Sequence, residues 1–410
     1  MSRQGRTHIE GSLKPLGLPG SILIWLTLFC VPSLAQFRAR IPSTMPDIKT
    51  LVPSAIVSTG NPAPFQRVFA KARAGEPIVL GVIGGSITAG AKASDESHRW
   101  ANLLQQWLAR QFPESTVTLI NAGIGATGSP YGCLRVGRDL IAHHPDLVVI
   151  DFGVNDGPEK WMAQTYEGVL RQILRQSPVP AVMEIFFMHL DGGNAQLYQQ
   201  QIGAHYGLPM VSYRDALWPL IKAGQLTWED VSPDDVHPND WGHAFAAACL
   251  EFQLDAASRA TSFSRTADSA LPSPLLSDVY SHTTLMDKTA LKPLAAGGWR
   301  YDEAHAALIA TEPGSALEFH ARGSAVFVQF FRVRANLGQA ILQIDNLPPV
   351  TLDGWFPGTW GGYIDTYVAR DLPSGDHVCR LTLSREKSEL SRGHEFRLIG
   401  IGQAGEEPAK

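Results

Sequence analysis

The sequence predicts a three-layer α/β/α sandwich built on a parallel sheet, followed by a smaller antiparallel β-sandwich. Three observations predict it. Between about Pro77 and Gln253, short apolar runs alternate with stretches that carry apolar residues at helical spacing. Several of those runs are apolar at nearly every position, the pattern of parallel strands buried on both faces. After about Leu291 the texture changes to short strands separated by Asn, Asp, Gly and Pro turns, as in antiparallel sandwiches. With 410 residues, 44% hydrophobic and 18% charged, the chain has ordinary globular composition and the length for two domains.

Residues 1–35 read as an export signal. Arg3, Arg6 and Lys14 form a positive region, Ser21 to Val31 an apolar core, and Ser33 and Ala35 the small residues a signal peptidase reads. The core is shorter than the roughly 20 residues a membrane-spanning helix needs, and Pro32 interrupts it. Cleavage after Ala35, no transmembrane anchor thereafter and a secreted or periplasmic product are the expectations. Bulky Phe29 makes Cys30 a poor lipoprotein site. Cys133, Cys249 and Cys379 would remain, an odd number without the spacing of a disulfide framework. Buried free thiols are expected, a Cys133–Cys249 pair being the alternative.

A lead-in segment spans residues 36–76, and the α/β domain residues 77–254. Its candidate strands are Ile78–Ile83, Val117–Asn121, Leu147–Phe152, Ala181–Phe187 and Pro209–Tyr213, with helical patterns such as Trp100–Arg110 between them. Alternation of this kind implies right-handed crossovers and a flavodoxin-like sheet. Ligands of such sheets gather outside the carboxyl ends of the strands. Residues 255–290, rich in Ser, Ala, Thr and Pro, read as a linker lying along the α/β domain. Residues 291–402 form the sandwich, of jelly-roll-like kind, with strands at Ala325–Phe331, Gln339–Ile344, His377–Leu383 and Phe396–Ile401; residues 403–410 are a tail. A net charge of −5 without a basic stripe points away from nucleic acid and anionic membrane as partners.

Three motifs carry chemistry, each at a predicted strand end or in the last loop. Gly84-Gly85-Ser86-Ile-Thr88 follows the first strand. Its glycines allow a sharp turn that presents the Ser86 hydroxyl and N–H at the sheet edge. It lacks the Gly-Lys-Ser/Thr ending of a phosphate-binding loop. Gly153-Val-Asn155-Asp156 ends the third strand; the Asn155 amide suits a developing oxyanion, and a helix cap is its structural alternative. Asp234-Asp235-Val-His237-Pro238 precedes the last helix. A carboxylate three residues before an imidazole can fold back onto Nδ1–H and leave Nε2 free to take a proton. Asp235, two residues before the ring, is the competing carboxylate.

Together these motifs, with Asn121-Ala-Gly-Ile-Gly125-Ala126-Thr-Gly, resemble the SGNH/GDSL hydrolase family over roughly Pro77 to Gln253. The first block has Gly-Ser in place of the commoner Gly-Asp-Ser. The resemblance implies a triad of Ser86, His237 and Asp234, the family spacing favouring Asp234 over Asp235. It also implies three oxyanion donors: the Ser86 N–H, a second-block N–H and the Asn155 side chain. The second donor is usually Gly, and spacing puts Ala126 there with Gly125 just before, so the donor stays open between these two.

Among the remaining suggestive residues, Tyr131 reads as packing and His143-His144 as a helix-end cap. His189 follows the fourth strand and would line the cleft rim. The layout is similar to exported carbohydrate esterases in which an SGNH domain is joined to a β-sandwich. The turn Trp355-Phe-Pro-Gly-Thr-Trp360-Gly-Gly-Tyr363 offers Trp355 and Trp360 as stacking surfaces for sugar rings, packing within the sandwich being the alternative. The expected activity is hydrolysis of short-chain esters, O-acetyl groups on polysaccharide above all. No cofactor and no metal are expected, since no His/Cys/Asp/Glu cluster has ligand spacing. A lipase or broad acylhydrolase, a non-catalytic carbohydrate-binding protein and an O-acetyltransferase are the rival readings.

Overall fold

In the computed structural model, residues 45–259 and 270–405 are described; the expected export signal lies outside them. Helices α1 (Ile48–Leu51) and α2 (Ala63–Arg73) flank strand β1 (Ile56–Ser58). There follow β2 (Ile78–Gly84), α3 (Ser86–Ala89), α4 (Trp100–Gln111), β3 (Val117–Gly123), α5 (Ser129–Asp139), β4 (Leu147–Asp151) and α6 (Lys160–Leu174). Then come β5 (Ala181–Phe186), α7 (Gln196–His205), β6 (Met210–Ser212), α8 (Tyr213–Lys222), α9 (Trp228–Val231) and α10 (Asp240–Arg259). The sheet order is β1-β6-β5-β4-β2-β3. All pairs are parallel except β1 with β6.

Alternating side chains of these strands feed two cores, which is why several of the runs are apolar at nearly every position. Leu80, Val82, Leu147, Val149, Met183 and Ile185 face the core that holds the apolar sides of α4 and α10. Ile83, Val148, Ile150 and Val182 face the core of α5 and α6. Full burial of each such side chain contributes about 1.5–3 kcal/mol. The five strands expected from sequence are all present. The sixth, β1, lies in the segment read as a lead-in; three half-buried residues at an edge are too short a run to signal themselves.

The remaining strands are β7 (Thr283–Asp287), β8 (Arg300–Asp302), β9 (Ala307–Ala310), β10 (Ala316–Gly323) and β11 (Ala325–Arg332). They continue with β12 (Gln339–Ile344), β13 (Val350–Asp353), β14 (Tyr363–Ala369), β15 (Gly375–Leu383) and β16 (Phe396–Ala404). All are antiparallel, in sheets ordered β10-β15-β12-β13 and β14-β11-β16-β9-β8, with β7 paired to β16. Strand β11 is buried on both faces. Val326, Val328 and Phe330 point into the sandwich, whereas Ala325 and Phe327 pack with α5 and α6. The close approach leaves no room for a side chain at Gly402, where a Cβ would stand 2.6 Å from Leu134 Cδ1.

The segment read as a linker departs from that reading. Residues 255–259 continue α10, and 283–287 are β7. Residues 275–277 run along α6, where the buried Glu167 carboxylate accepts the backbone N–H groups of Leu275, Leu276 and Ser277. Side-chain anchoring of backbone leaves no hydrophobic period to read. The tail likewise yields Gln403 and Ala404 to β16. Cys133, Cys249 and Cys379 are free and buried, Cys133 and Cys249 lying in different cores. Among the described residues no helix is long and apolar enough to cross a membrane.

Candidate active site

The β2 strand ends at Gly84, and Ser86 opens the one-turn helix α3. Two hydrogen bonds hold this turn: Thr88 Oγ1 donates to the buried Asp151 Oδ2 at the end of β4 (2.8 Å), and Asn121 Nδ2 donates to the Thr88 carbonyl (2.8 Å). Burial pushes the Asp151 carboxyl up to about 7, against the pull of the Thr88 hydroxyl and the Gly153 N–H.

The last loop brings its imidazole to this serine. His237 Nε2 lies 2.8 Å from Ser86 Oγ, and Nδ1 lies 2.9 and 3.1 Å from the two Asp234 oxygens. An ionised carboxylate can only accept, so Nδ1 carries the proton and Nε2 accepts from the serine hydroxyl. The Asp234 carboxylate also accepts the N–H groups of Val236 (3.0 Å) and His237 (2.8 Å). Burial pushes its pKa up, but these bonds and the His237 ring outweigh it and hold the carboxyl below the usual range. Lys92, in a left-handed backbone conformation, adds an ammonium 3.7 Å from Asp234 Oδ2. Asp235 plays a different part: its carbonyl accepts the Leu190 N–H.

Asn155 follows β4 and lies across the nucleophile turn, its amide nitrogen 3.1 Å from where a Cβ on Gly85 would stand. Gly125 faces the same serine, since its own Cβ would stand 4.0 Å from Ser86 Cβ. Ala126 next to it has φ 56°, in the left-handed region. Asp156, next to Asn155, caps a different helix from the one that follows: it accepts the Ser129 N–H at the start of α5 (2.7 Å) and a Gln199 amide (3.0 Å).

His189 sits next to this group, its Nε2 2.9 Å from the Val154 carbonyl. Tyr131 is buried with its ring over the Arg135 guanidinium. His143 and His144 close a short helical turn, His144 left-handed. The tryptophans lie apart from these residues in sequence and differ from each other. Trp355 is half-buried and tied through its backbone to Asp353 and Arg332. Trp360 is 61% exposed. Its ring packs on Tyr363 (5.5 Å) and Phe356 (5.1 Å), with the Arg332 guanidinium 5.7 and 5.9 Å from Phe356 and Tyr363. Among the described residues no cluster of His, Cys, Asp and Glu could hold a metal.

The profile of the GDSL-like lipase/acylhydrolase family matches residues 82–245. This part of the chain is a GDSL-like lipase/acylhydrolase domain. The matched span runs from β2 into α10 and so includes Ser86, Asn155, Asp234 and His237. Membership places the chain among hydrolases of ester bonds. The thioesterase 1/protease 1/lysophospholipase L1 of Escherichia coli (strain K12) is 28% identical over 188 residues, 44% of this chain and 86% of that protein. The similarity to a solved two-domain esterase (CEX) active on acetylated mannans extends beyond the GDSL-like domain. That structure aligns with TM-score 0.81 at 28% identity, covering 87% of this chain and 99% of the esterase. The same esterase co-crystallised with mannopentaose aligns with TM-score 0.80 at 27% identity, over 88% of this chain and 99% of that one.

Proposed function

We propose that the protein is an exported serine esterase that removes short acyl groups, O-acetyl above all, from a polysaccharide. The observation that carries the reading is the 2.8 Å approach of His237 Nε2 to Ser86 Oγ with Asp234 on the far side of the ring. In the cycle, Ser86 Oγ attacks the ester carbonyl while its proton passes to His237 Nε2, and Asp234 stabilises the imidazolium. The carbonyl oxygen gains charge as the tetrahedral intermediate forms. The Ser86 N–H, the Asn155 amide and an N–H of the Gly125–Ala126 segment then hold it. His237 returns the proton to the leaving alcohol, and water removes the acyl group by the same route.

The two-domain likeness to an esterase active on acetylated mannans supports an acetylated polysaccharide as substrate. So does Trp360, whose exposed indole gives the apolar face of a sugar ring a surface to stack on. Export rests on residues 1–35 and their signal-like pattern.

Hydrolysis of p-nitrophenyl acetate, butyrate and octanoate by the protein and its Ser86→Ala variant tests the reading. Acetate preferred, with turnover lost in the variant, supports it; a preference for octanoate would redirect it to a lipase. Acetate release from acetylated mannan then tests the substrate class, and faster transfer to an added sugar than to water would make the protein an acetyltransferase.

A further inference from the structure

Among the described residues Arg135 is the largest fully buried charged side chain, with 0% exposure. It projects from α5, and its guanidinium donates to two carbonyls at the carboxyl ends of adjacent strands. Nη1 donates to Ala122 near the end of β3 (2.6 Å), and Nη2 to Gly84 at the end of β2 (3.0 Å). Asp139, one turn further along α5, supplies the counter-charge at 3.3 Å. An apolar side chain of similar volume would pack α5 against the sheet without the cost of burying a charge. Packing alone therefore does not account for a guanidinium here.

The two carbonyls it joins are not equivalent to others in the sheet. Gly84 stands two residues before Ser86, and Ala122 three before Gly125. The Gly84 carbonyl also accepts the N–H of Ile124 (3.1 Å), the first residue of the loop that carries Gly125 and Ala126. Strand β3 lies at the sheet edge, with β2 its one strand neighbour. The pairing of β2 with β3 ends at Gly84 and Gly123. At that end, beside the Ile124 bond, Arg135 adds two further bonds that tie the two strand ends to one side chain.

We propose that Arg135 is a positioning residue for the oxyanion hole, holding the Ser86 turn and the Ile124–Ala126 loop in the relative placement that converges their N–H groups on one oxygen. The assignment rests on the reading of Ser86 as nucleophile. Lysine at this position keeps the charge but not the fork that spans both carbonyls; glutamine keeps neither.

Phenylboronic acid tests it, because its adduct on the serine oxygen mimics the tetrahedral intermediate while substrate binding does not. For Arg135→Lys and Arg135→Gln the inhibition constant is expected to weaken about 10- to 100-fold, by analogy with loss of an oxyanion donor. The kcat for p-nitrophenyl acetate falls in parallel, with KM changed less than about threefold. Asp139→Asn, which leaves both carbonyl bonds in place, lowers the melting temperature with the inhibition constant within about twofold of wild type. An inhibition constant belongs to the folded fraction, so partial unfolding does not imitate the effect. Wild-type boronate affinity in both Arg135 variants overturns the proposal. A wild-type enzyme that neither binds the boronate nor loses activity as Ser86→Ala overturns the nucleophile reading instead.

Discussion

A Cβ built on Gly85 would stand 1.9 Å from Asn155 Oδ1. The missing side chain of one residue is thus the space that the other occupies, and the amide that follows β4 lies across the nucleophile turn because of it. Gly85→Ala displaces Asn155, and Asn155→Ala removes its donor. Each is expected to lower kcat for p-nitrophenyl acetate by about 10²–10³ with little change in KM. Because both act on one donor, the double variant falls no further than the worse single one. Additive losses would separate Gly85 from Asn155.

Ser86→Ala is expected to cost on the order of 10⁶ in kcat, and His237→Ala a similar factor, if the three residues act as a unit. Asp234→Asn leaves the ring in place but favours the wrong tautomer, for about 10⁴. Asp235→Asn, whose side chain is outside this relay, stays within about threefold. Steady-state kinetics on the four variants decide it, and a large loss in Asp235→Asn would reassign the carboxylate.

The sheet was legible because β2, β4, β5 and β6 are buried on both faces, and the candidate site because two short motifs fall at strand ends and a third in the last loop. What escaped the sequence has local physical causes. Strand β7 sits in a Ser- and Thr-rich stretch and pairs only with β16, so no apolar run announces it. Arg135 carries no local signal of its place, since its two acceptors come from strands 51 and 13 residues away. Asp156 sits beside a helix start and caps a different one. Of the two tryptophans, pattern alone did not distinguish Trp355 from Trp360, whose exposure follows from the Gly-rich turn around it.

Trp360→Ala is expected to raise KM for acetylated mannan by about 5- to 10-fold, the loss of one to one and a half kcal/mol of stacking. Turnover of p-nitrophenyl acetate, which is too small to reach such a platform, should be unchanged. Trp355→Ala acts through packing and lowers the melting temperature instead. Equal KM values for the polymer in Trp360→Ala and wild type would remove this face from the substrate path.

Glu184, in the middle of β5, is buried with neither carboxylate oxygen in a hydrogen bond. Burial pushes its pKa up to about 8, the nearby Tyr166 hydroxyl offsetting part of the rise. Below its ordinary value of 4.5, both folded and unfolded chains hold the proton and the group contributes nothing. Between there and about 8 the unfolded chain releases its proton while the folded chain keeps it, so stability falls as pH rises. Asp151 and Asp156, pushed by burial to about 7, act in the same direction over a lower window. The melting temperature is therefore expected to fall from pH 5 to pH 8.5, with these carboxyls contributing to the fall. Glu184→Gln cannot ionise and removes its share, about 2–4 kcal/mol at the alkaline end. Relative to wild type, the variant gains stability at pH 8.5 over its difference at pH 4.5. Parallel melting curves against pH for the two proteins would mean that Glu184 is ionised in the folded state or that water reaches it.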